Sequence, residues 1–222
     1  MSETTAVQDY LKAIYQLGGT SAPVPTNEIA ERLGVRPASA SGMLRRLGEL
    51  GLVTYAKYKG TRLTVRGTKA AVEMIRHHRL LELYLARIVG MPWDKVHAEA
   101  DALEHHISEE LESRLDELLG HPTTDPHGDP IPSPDLVLEE TDYITLSSVD
   151  AGARCVVRRV SDRSPELLRH LDELGLRPGA KVRVIESVPF GGGVRVRVKG
   201  ADASLGADGA DAVFVEPLGA SA

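Results

Sequence analysis

TNEIAERLGVRPASASGMLRRLGEL, residues 26–50, decides the fold. Thr26 reads as the cap of a helix over Asn27–Leu33 that Gly34 ends, Val35-Arg36-Pro37 is a short link, and a second helix runs from about Ala38 to Leu50 with Met43, Leu44 and Leu47 turned inward before Gly51 stops it. Helix, tight turn, helix is the spacing of a helix-turn-helix, whose second helix enters the major groove of duplex DNA. Upstream, Val7, Tyr10, Leu11, Ile14 and Tyr15 make an apolar stripe at helical spacing over Thr4–Leu17, closed by Gly18-Gly19. Downstream, Leu52–Tyr55 and Arg62–Val65 read as two strands around Lys59-Gly60, a hairpin wing.

Charge agrees with a phosphate-facing role for this segment. Between Pro25 and Lys69 lie nine basic residues (Arg32, Arg36, Arg45, Arg46, Lys57, Lys59, Arg62, Arg66 and Lys69) against three acidic ones, Glu28, Glu31 and Glu49. The whole chain carries −6, so the excess is local and the rest is acidic. On the second helix Arg36, Ser39, Ser41, Gly42, Arg45 and Arg46 form the expected reading face. The small residues allow close approach, and the arginines supply charge and guanine contacts. Lys57, Tyr58, Lys59 and Arg62 would set the wing on the flanking backbone. A three-helix core with a merely solvated basic face is the alternative.

The rest of the chain changes character twice. Thr68–Val89 and Trp93–Ile107 read as long helices, followed by Ser108–Leu119 with the Ser108 hydroxyl as cap. Five of the thirteen prolines (122, 126, 130, 132 and 134) then fall between His121 and Pro134, an extended linker or wrapped loop. Beyond it, Ala153–Val160, Lys181–Ser187, Gly193–Lys199 and Ala212–Glu216 alternate apolar and polar residues, Gly191-Gly192-Gly193 marks a hairpin tip, and Pro165–Leu174 is a short helix. The expected fold class is mainly α with an added β domain. The expected domains are a winged helix-turn-helix (1–70), a helical domain (71–140) and a small SH3-like barrel (141–222).

Composition excludes several classes. At 222 residues and 42% hydrophobic, the chain has ample core for two or three small domains. Cys155 is the only cysteine, which rules out an internal disulfide and a zinc–thiolate cluster and suits a reducing cytosol. Met-Ser-Glu-Thr-Thr at the start lacks a basic and an apolar region, and no run approaches the length of a membrane span, so we expect a cytoplasmic protein.

The chemistry sits in the helical segment. His97, Asp101, Glu104 and His105 share one face if their stretch is helical, and His78 and Glu82 stand i, i+4. Carboxylates mixed with imidazole suit a first-row divalent ion. A single helix cannot enclose an ion, and Asp9, on the edge of the first helix's apolar stripe, is the candidate partner. His78, Glu82 and His97 could form a second site. Against this, histidines and glutamates on helix faces are usually solvated. Trp93 and Cys155 read as core, and His106, His121, His127 and His170 as surface. His77 is set aside in favour of His78 for its spacing to Glu82.

Together these residues resemble the diphtheria-toxin-repressor family of metal-dependent regulators, including its manganese-transport-regulator branch. The matching stretches are Asp9-Tyr-Leu11 with Ile14-Tyr15, Ile29-Ala-Glu-Arg-Leu33, His78-Arg-Leu-Leu-Glu82, Lys95-Val-His97, Glu104-His105 and Gly128-Asp-Pro-Ile-Pro132. Leu171-Asp-Glu-Leu-Gly-Leu-Arg-Pro-Gly179 resembles the SH3-like ferrous-transport-associated domain. The resemblance implies a homodimer that binds a palindromic operator when loaded with metal and represses metal-transport genes. It implies a primary site of Asp9, Asp101, Glu104 and His105, and an ancillary site of His78, Glu82 and His97, with Glu166 as the candidate from the SH3-like domain. Iron-type members carry Met and Cys at the positions of Asp9 and Asp101; hard oxygens here favour Mn2+, with Fe2+ second. The two-domain manganese branch has Glu where this chain has Lys12, so two separated sites are expected instead of a bridged pair. Without metal, the carboxylates at 9, 101 and 104 would repel and loosen the reader. An enzyme is not expected, since His-Glu-x-x-His, a nucleophile elbow and a phosphate loop are all missing. A winged-helix regulator of an organic ligand stays open, as does docking of a Pro-rich segment such as Pro130–Pro134 on the SH3-like tail.

Overall fold

A computed structural model describes residues 3–56, 58–139, 141–188 and 192–218. The chain forms two compact units. The first takes in the chain to His78 with Asp101–Ser113 and Pro132–Leu138; the second takes Arg79–Ala100, Arg114–Ile131 and the chain from Glu139 onward.

In the first unit, α1 (Glu3–Gln16), α2 (Thr26–Arg32) and α3 (Pro37–Glu49) precede a hairpin of β1 (Val53–Ala56) and β2 (Gly60–Leu63). The apolar stripe of α1 is the side that packs: Tyr10, Leu11 and Ile14 are buried with Ile29, Leu44, Leu47 and Val53. Leu44 and Leu47 are fully buried, each contributing roughly 2–3 kcal/mol by transfer from water. Thr26 is the first residue of α2 and Pro25 its cap, with no side-chain cap bond; the sequence reading of Thr26 as cap was one residue late. Pro37 opens α3, where its missing N–H costs nothing. The hairpin pairs Ala56 with Gly60, and the Val24 and Thr61 backbones bond each other at 2.8 and 2.9 Å, tying the wing to the segment before α2.

The next helices deviate from α geometry at their ends. α4 (Val65–Tyr84) passes into a π-helical turn over Leu85–Val89, and α5 (Val96–Leu103) into a 3-10 turn over Glu104–His106. Glu104 and His105 therefore leave the α-helical face expected for them. A 3.6-residue pattern cannot distinguish these turns over so short a run. α6 (Glu109–Leu118) is capped as expected, with the Leu111 N–H donating to Ser108 Oγ at 3.3 Å.

A buried ion pair fixes this part of the first unit. The Arg76 guanidinium, 2% exposed, donates to Glu112 and, at 2.6 Å, to the Pro132 carbonyl. His77 Nε2 lies 2.9 Å from Glu112 Oε2, and its Nδ1 lies 3.3 Å from the Glu104 carbonyl oxygen. The bond from His77, helped by Arg76 and opposed by burial, holds the Glu112 carboxyl below its ordinary value of 4.5. A carboxyl depressed on folding contributes stability that is present above its unfolded pKa and disappears as pH falls through the folded one. Glu112→Gln is therefore expected to lose about 2 kcal/mol at pH 7 in urea unfolding, with the gap to the parent closing below pH 4.5.

In the second unit, β3 (Ile144–Thr145), β4 (Arg154–Val160), β5 (Lys181–Val188), β6 (Gly193–Val198), β7 (Ala201–Leu205) and β8 (Val213–Pro217) form one antiparallel sheet in the order β3-β8-β4-β5-β6-β7. α7 (Pro165–Glu173) and α8 (Ala207–Asp211) accompany it. Alternate residues of β4, β5 and β6 (Cys155, Val157, Val182, Val184, Val194 and Val196) enter a core with Leu168, Leu171 and Trp93. Cys155 and Trp93 are thus core residues, as expected. Sequence patterning missed β3, β7 and α8, each five residues or fewer. Among the described residues no helix is long and apolar enough to cross a membrane.

Candidate functional site

The first unit brings α1 against the Glu104–His106 turn. Asp9 Oδ1 lies 3.0 Å from His105 Nε2, and Glu104 Oε1 lies 3.7 Å from the same nitrogen. Asp9, Glu104 and His105 each offer one ligand atom within 4.8 Å of the others. The opposite ring nitrogen of His105 lies 3.0 Å from Gln8 Oε1. With Nδ1–H donated to that amide oxygen, Nε2 is the end of the ring turned toward the carboxylates and offered to an ion. Glu104 is 2% exposed. Burial raises the Asp9 carboxyl above its ordinary value, and the Glu104 and Asp101 charges add to that against the pull of His105 and Lys12. The donor set, two carboxylates and one imidazole without sulfur, fits a hard or borderline divalent cation such as Mn2+ or Fe2+.

Asp101 and His78 belong beside this cluster. Asp101 Oδ1 lies 3.1 Å from Lys12 Nζ and 3.2 Å from His78 Nδ1, and His78 Nδ1 is 2.5 Å from Glu104 Oε2. Within the first unit, His78 therefore meets residues of the expected primary set, whereas the sequence reading grouped it with the ancillary residues. The carboxylates expected to repel one another have the Lys12 ammonium among them, 2.7 Å from Glu104 Oε2.

The second unit holds another cluster. His97 Nδ1 lies 3.0 Å from Glu82 Oε1 and 3.2 Å from Asp162 Oδ2. Glu82, His127 and Asp162 offer ligand atoms within 4.8 Å of one another. His127 is fully buried, which corrects its reading as a surface residue. Its Nε2–H donates to the Trp93 carbonyl at 2.9 Å, and its Nδ1, buried without a hydrogen bond, stands 3.8 Å from Glu82 Oε2. Burial opposes the imidazolium, but the Glu82 and Asp125 carboxylates and the Trp93 carbonyl outweigh it and push His127 up to about 9. Burial likewise opposes the Asp162 carboxylate, and its bond with His97 holds the group below its ordinary value. A buried ring anchored through Nε2–H, whose Nδ1 faces carboxylates, can offer that nitrogen to a divalent cation that displaces its proton.

Glu166 is not part of this cluster. It lies in the first turn of α7, 77% exposed, bonded to Ser164 Oγ at 2.8 Å and to Arg169 Nη2 at 3.1 Å. The carboxylate that this stretch sends to Glu82 is Asp162, four residues earlier, before the helix turns the chain outward. Asp162 and His127 were both missed. The one available signal was the Asp125-Pro-His-Gly-Asp129 run, in which Asp125 can bond its own loop. Asp125 Oδ1 indeed accepts from the His127 and Asp129 N–H groups at 2.8 and 3.0 Å.

The residues expected to face DNA are mostly at the surface. Arg36, Ser39, Gly42, Arg45 and Arg46 of α3 and its cap are exposed, Ser41 half-buried. On the wing Tyr58, Lys59 and Arg62 are exposed, with Arg62 also donating to the Ser21 carbonyl. Lys57 lies outside the described residues.

Known proteins match this arrangement from end to end. A family model described as the iron-dependent repressor N-terminal DNA-binding domain covers residues 3–61, one described as the iron-dependent repressor metal-binding and dimerisation domain covers 64–133, and a FeoA domain covers 144–217. The iron-dependent repressor IdeR of Mycobacterium tuberculosis is 34% identical over 94% of this chain and 96% of its own. The HTH-type transcriptional regulator MntR of Lysinibacillus sphaericus is 31% identical over 52% of this chain and 83% of its own. A solved manganese-dependent transcriptional repressor in complex with manganese is 39% identical, with a TM-score of 0.88 over 96% of this chain and 100% of that one. ScaR with bound Zn2+ is 32% identical, with a TM-score of 0.80 over 96% and 99%. With its DNA-reading, metal-binding and FeoA segments in this order, the chain belongs to the diphtheria-toxin-repressor family of metal-dependent transcriptional repressors.

Proposed function

We propose that this chain is a cytoplasmic, homodimeric repressor of metal-ion transport genes that binds a palindromic operator when loaded with Mn2+, or second with Fe2+. Its working parts are the reader (1–70), the helical metal-binding and dimerisation segment (71–140) and the SH3-like segment (141–222). The observation that carries the reading is the meeting of Asp9, on the first helix of the reader, with Glu104 and His105 on the turn after α5. A bound divalent cation supplies the positive charge that the Asp9 and Glu104 carboxylates can share with the His105 nitrogen. Asp9 then ties α1 to the helical segment, which narrows the orientations open to α3. Two copies so restrained can present their α3 helices to successive major grooves, roughly 34 Å apart. Glu82, His127 and Asp162, with His97, hold a second ion in the other unit.

Ligand type supports manganese. Asp9 and Asp101 are hard oxygens, and soft sulfur, which would reward Fe2+ or more competitive metals, does not occur among the candidate ligands. The solved manganese-dependent repressor in complex with manganese, 39% identical to this chain, points the same way. The test is a gel-shift titration of one candidate operator with Mn2+, Fe2+, Zn2+ or chelator. Binding should rise 5–150-fold with Mn2+, the usual span of an allosteric coupling (about 1–3 kcal/mol). Equal binding in chelator would show a reader indifferent to metal and favour an organic effector.

A further inference from the structure

The Leu171–Gly179 turn reaches the second cluster through an aromatic ring. Beyond α7 the chain reverses at Gly175, φ +73, where the Leu176 N–H donates to the Leu171 carbonyl and the Gly175 N–H to the Asp172 carbonyl, both at 2.8 Å. These two bonds are a Schellman closure, and Leu171 and Leu176 are the buried apolar pair that goes with it. The turn brings Arg177 back beside Asp172. The guanidinium donates to both carboxylate oxygens, through Nε to Oδ1 and, at 2.7 Å, through Nη2 to Oδ2. So held, its Cζ lies 4.6 Å from the centre of the Trp93 ring. Trp93 lies in turn against His127, with ring centroids 5.6 Å apart and planes 30° from parallel. Trp93 is 6% exposed, and its indole N–H is buried without a hydrogen bond. A phenylalanine would fill an apolar core without orphaning a donor. What the indole adds is a larger ring face, and the one that attracts cations most strongly.

Resting on the second ion proposed above, we propose that Trp93 is a positioning residue for His127 and that the Asp172–Arg177 pair braces Trp93, so that the Leu171–Gly179 turn sets the affinity of the Glu82, His127 and Asp162 cluster without touching the ion. The stack fixes what the hydrogen bond leaves free. His127 is anchored at one ring nitrogen, Nε2–H on the Trp93 carbonyl at 2.9 Å. One bond allows the ring to turn about its own direction. A ring face laid against it removes that freedom, and the plane of the imidazole decides whether Nδ1 points at Glu82 Oε2, 3.8 Å away. Trp93 supplies both contacts, the bond from its main chain and the face from its side chain, so they hold the ring as one. A ligand ring ordered before the ion arrives loses less freedom on binding, which raises affinity. Arg177 is half exposed and acts at the rim of the unit. Asp162 stands just before α7 and Arg177 just after it, so one short helix joins a candidate ligand to the brace.

The experiment titrates Mn2+ into the full-length protein carrying His105→Ala, which leaves the second cluster as the manganese site. Bound ion is counted by equilibrium dialysis, and Trp93, the single tryptophan, reports by its fluorescence. Mn2+ is a paramagnetic quencher, so emission should fall as the cluster fills, and adding Glu82→Gln should abolish the fall. Trp93→Leu should weaken the site 10–100-fold, the usual effect of losing a partner that orients a ligand. Trp93→Phe, which keeps an aromatic face, should stay within about twofold of the parent. Arg177→Gln should weaken the site by up to about 2–5-fold, the worth of an exposed cation–π contact. Leu168→Ala truncates the same core at a residue outside the stack, and should melt lower yet keep the parent's affinity. Trp93→Leu with undiminished affinity would overturn the proposal, as would Leu168→Ala with an equal loss or an emission that ignores the bound ion. If Trp93→Leu fails to fold, the parent's emission and the Arg177→Gln affinity still decide it. Manganese binding that survives Glu82→Gln in this background would instead refute the second site itself.

Discussion

Asp9→Ala is expected to bring the operator affinity measured with Mn2+ down to the value measured with chelator, while weak, salt-sensitive binding to random DNA stays as it was. The argument begins with where Asp9 sits. It is the one ligand candidate of the reader cluster carried by α1; Glu104 and His105 belong to the turn after α5. Deleting its carboxylate leaves two donors on one side and none on the reader, so an ion held there no longer couples to the orientation of α3. The loss should equal the whole metal effect, 5–150-fold for a coupling of about 1–3 kcal/mol. On the proposed function, non-specific binding rests on Arg45, Arg46, Lys59 and their neighbours, which the substitution does not touch. The variant should not owe its defect to misfolding. Alanine is the better helix former, and the Asp9 carboxyl, raised by burial, is not in a state that folding favours. Its metal-free melting temperature should therefore be level with the parent or higher. His105→Ala should behave alike, and Gln8→Leu, which removes only the bond orienting the ring, should weaken manganese binding 10–100-fold without abolishing the response. An Asp9→Ala protein that still gains operator affinity on adding manganese would overturn the function proposed above.

Periodicity carried most of the architecture because most of it is periodic. The stripe of α1, the inward Leu44 and Leu47 of α3 and the alternating β4, β5 and β6 each bury one face against a core, and such patterns are visible in a single sequence. The reading stopped where local pattern is silent. The turn of Glu104–His106 is 3-10 and the turn of Leu85–Val89 is π, because one turn at a helix end is set by what it packs on, not by spacing. Lys12 was legible as a residue that cannot ligate, but its partners lie 66, 89 and 92 residues away in sequence, and nothing local ties them to it. His127 was misjudged for a different reason. Proline-rich connecting segments usually run over the surface, since a buried one must satisfy its own backbone. This loop does so through Asp125, whose raised carboxyl, pushed up by burial and by the Glu82 and Asp129 charges, still accepts two loop N–H groups. Glu166 was the candidate that the family resemblance offered from Ser161–Arg169, yet α7 turns it to solvent, 77% exposed.

Gly128→Ala should be among the most damaging single changes outside the cores, by about 3–5 kcal/mol in the unfolding of the second unit. Gly128 follows His127 at φ +90, a backbone conformation that L side chains rarely adopt. A Cβ built there would lie 1.9 Å from the Arg158 carbonyl oxygen and 2.9 Å from the Arg159 Cα, both backbone atoms of β4 that cannot swing aside. The close approach has a purpose, since the Val160 N–H donates to the His127 carbonyl at 2.9 Å and so docks the loop on the strand. That docking holds the ring beside Glu82 and Asp162. Gly152→Ala separates the two contributions. Gly152 has the same φ of +90 in the same unit but meets nothing within 4 Å, so it should show only the conformational cost of about 1–2 kcal/mol. The excess at Gly128 then measures the collision with β4. If the loop must move to relieve it, His127 moves too, and manganese bound through Glu82, His127 and Asp162 should be lost while the ion on Asp9, Glu104 and His105 remains. Equal melting of the Gly128→Ala and Gly152→Ala proteins, with both manganese counts intact, would mean that the loop yields freely and that His127 is not held by its contact with β4.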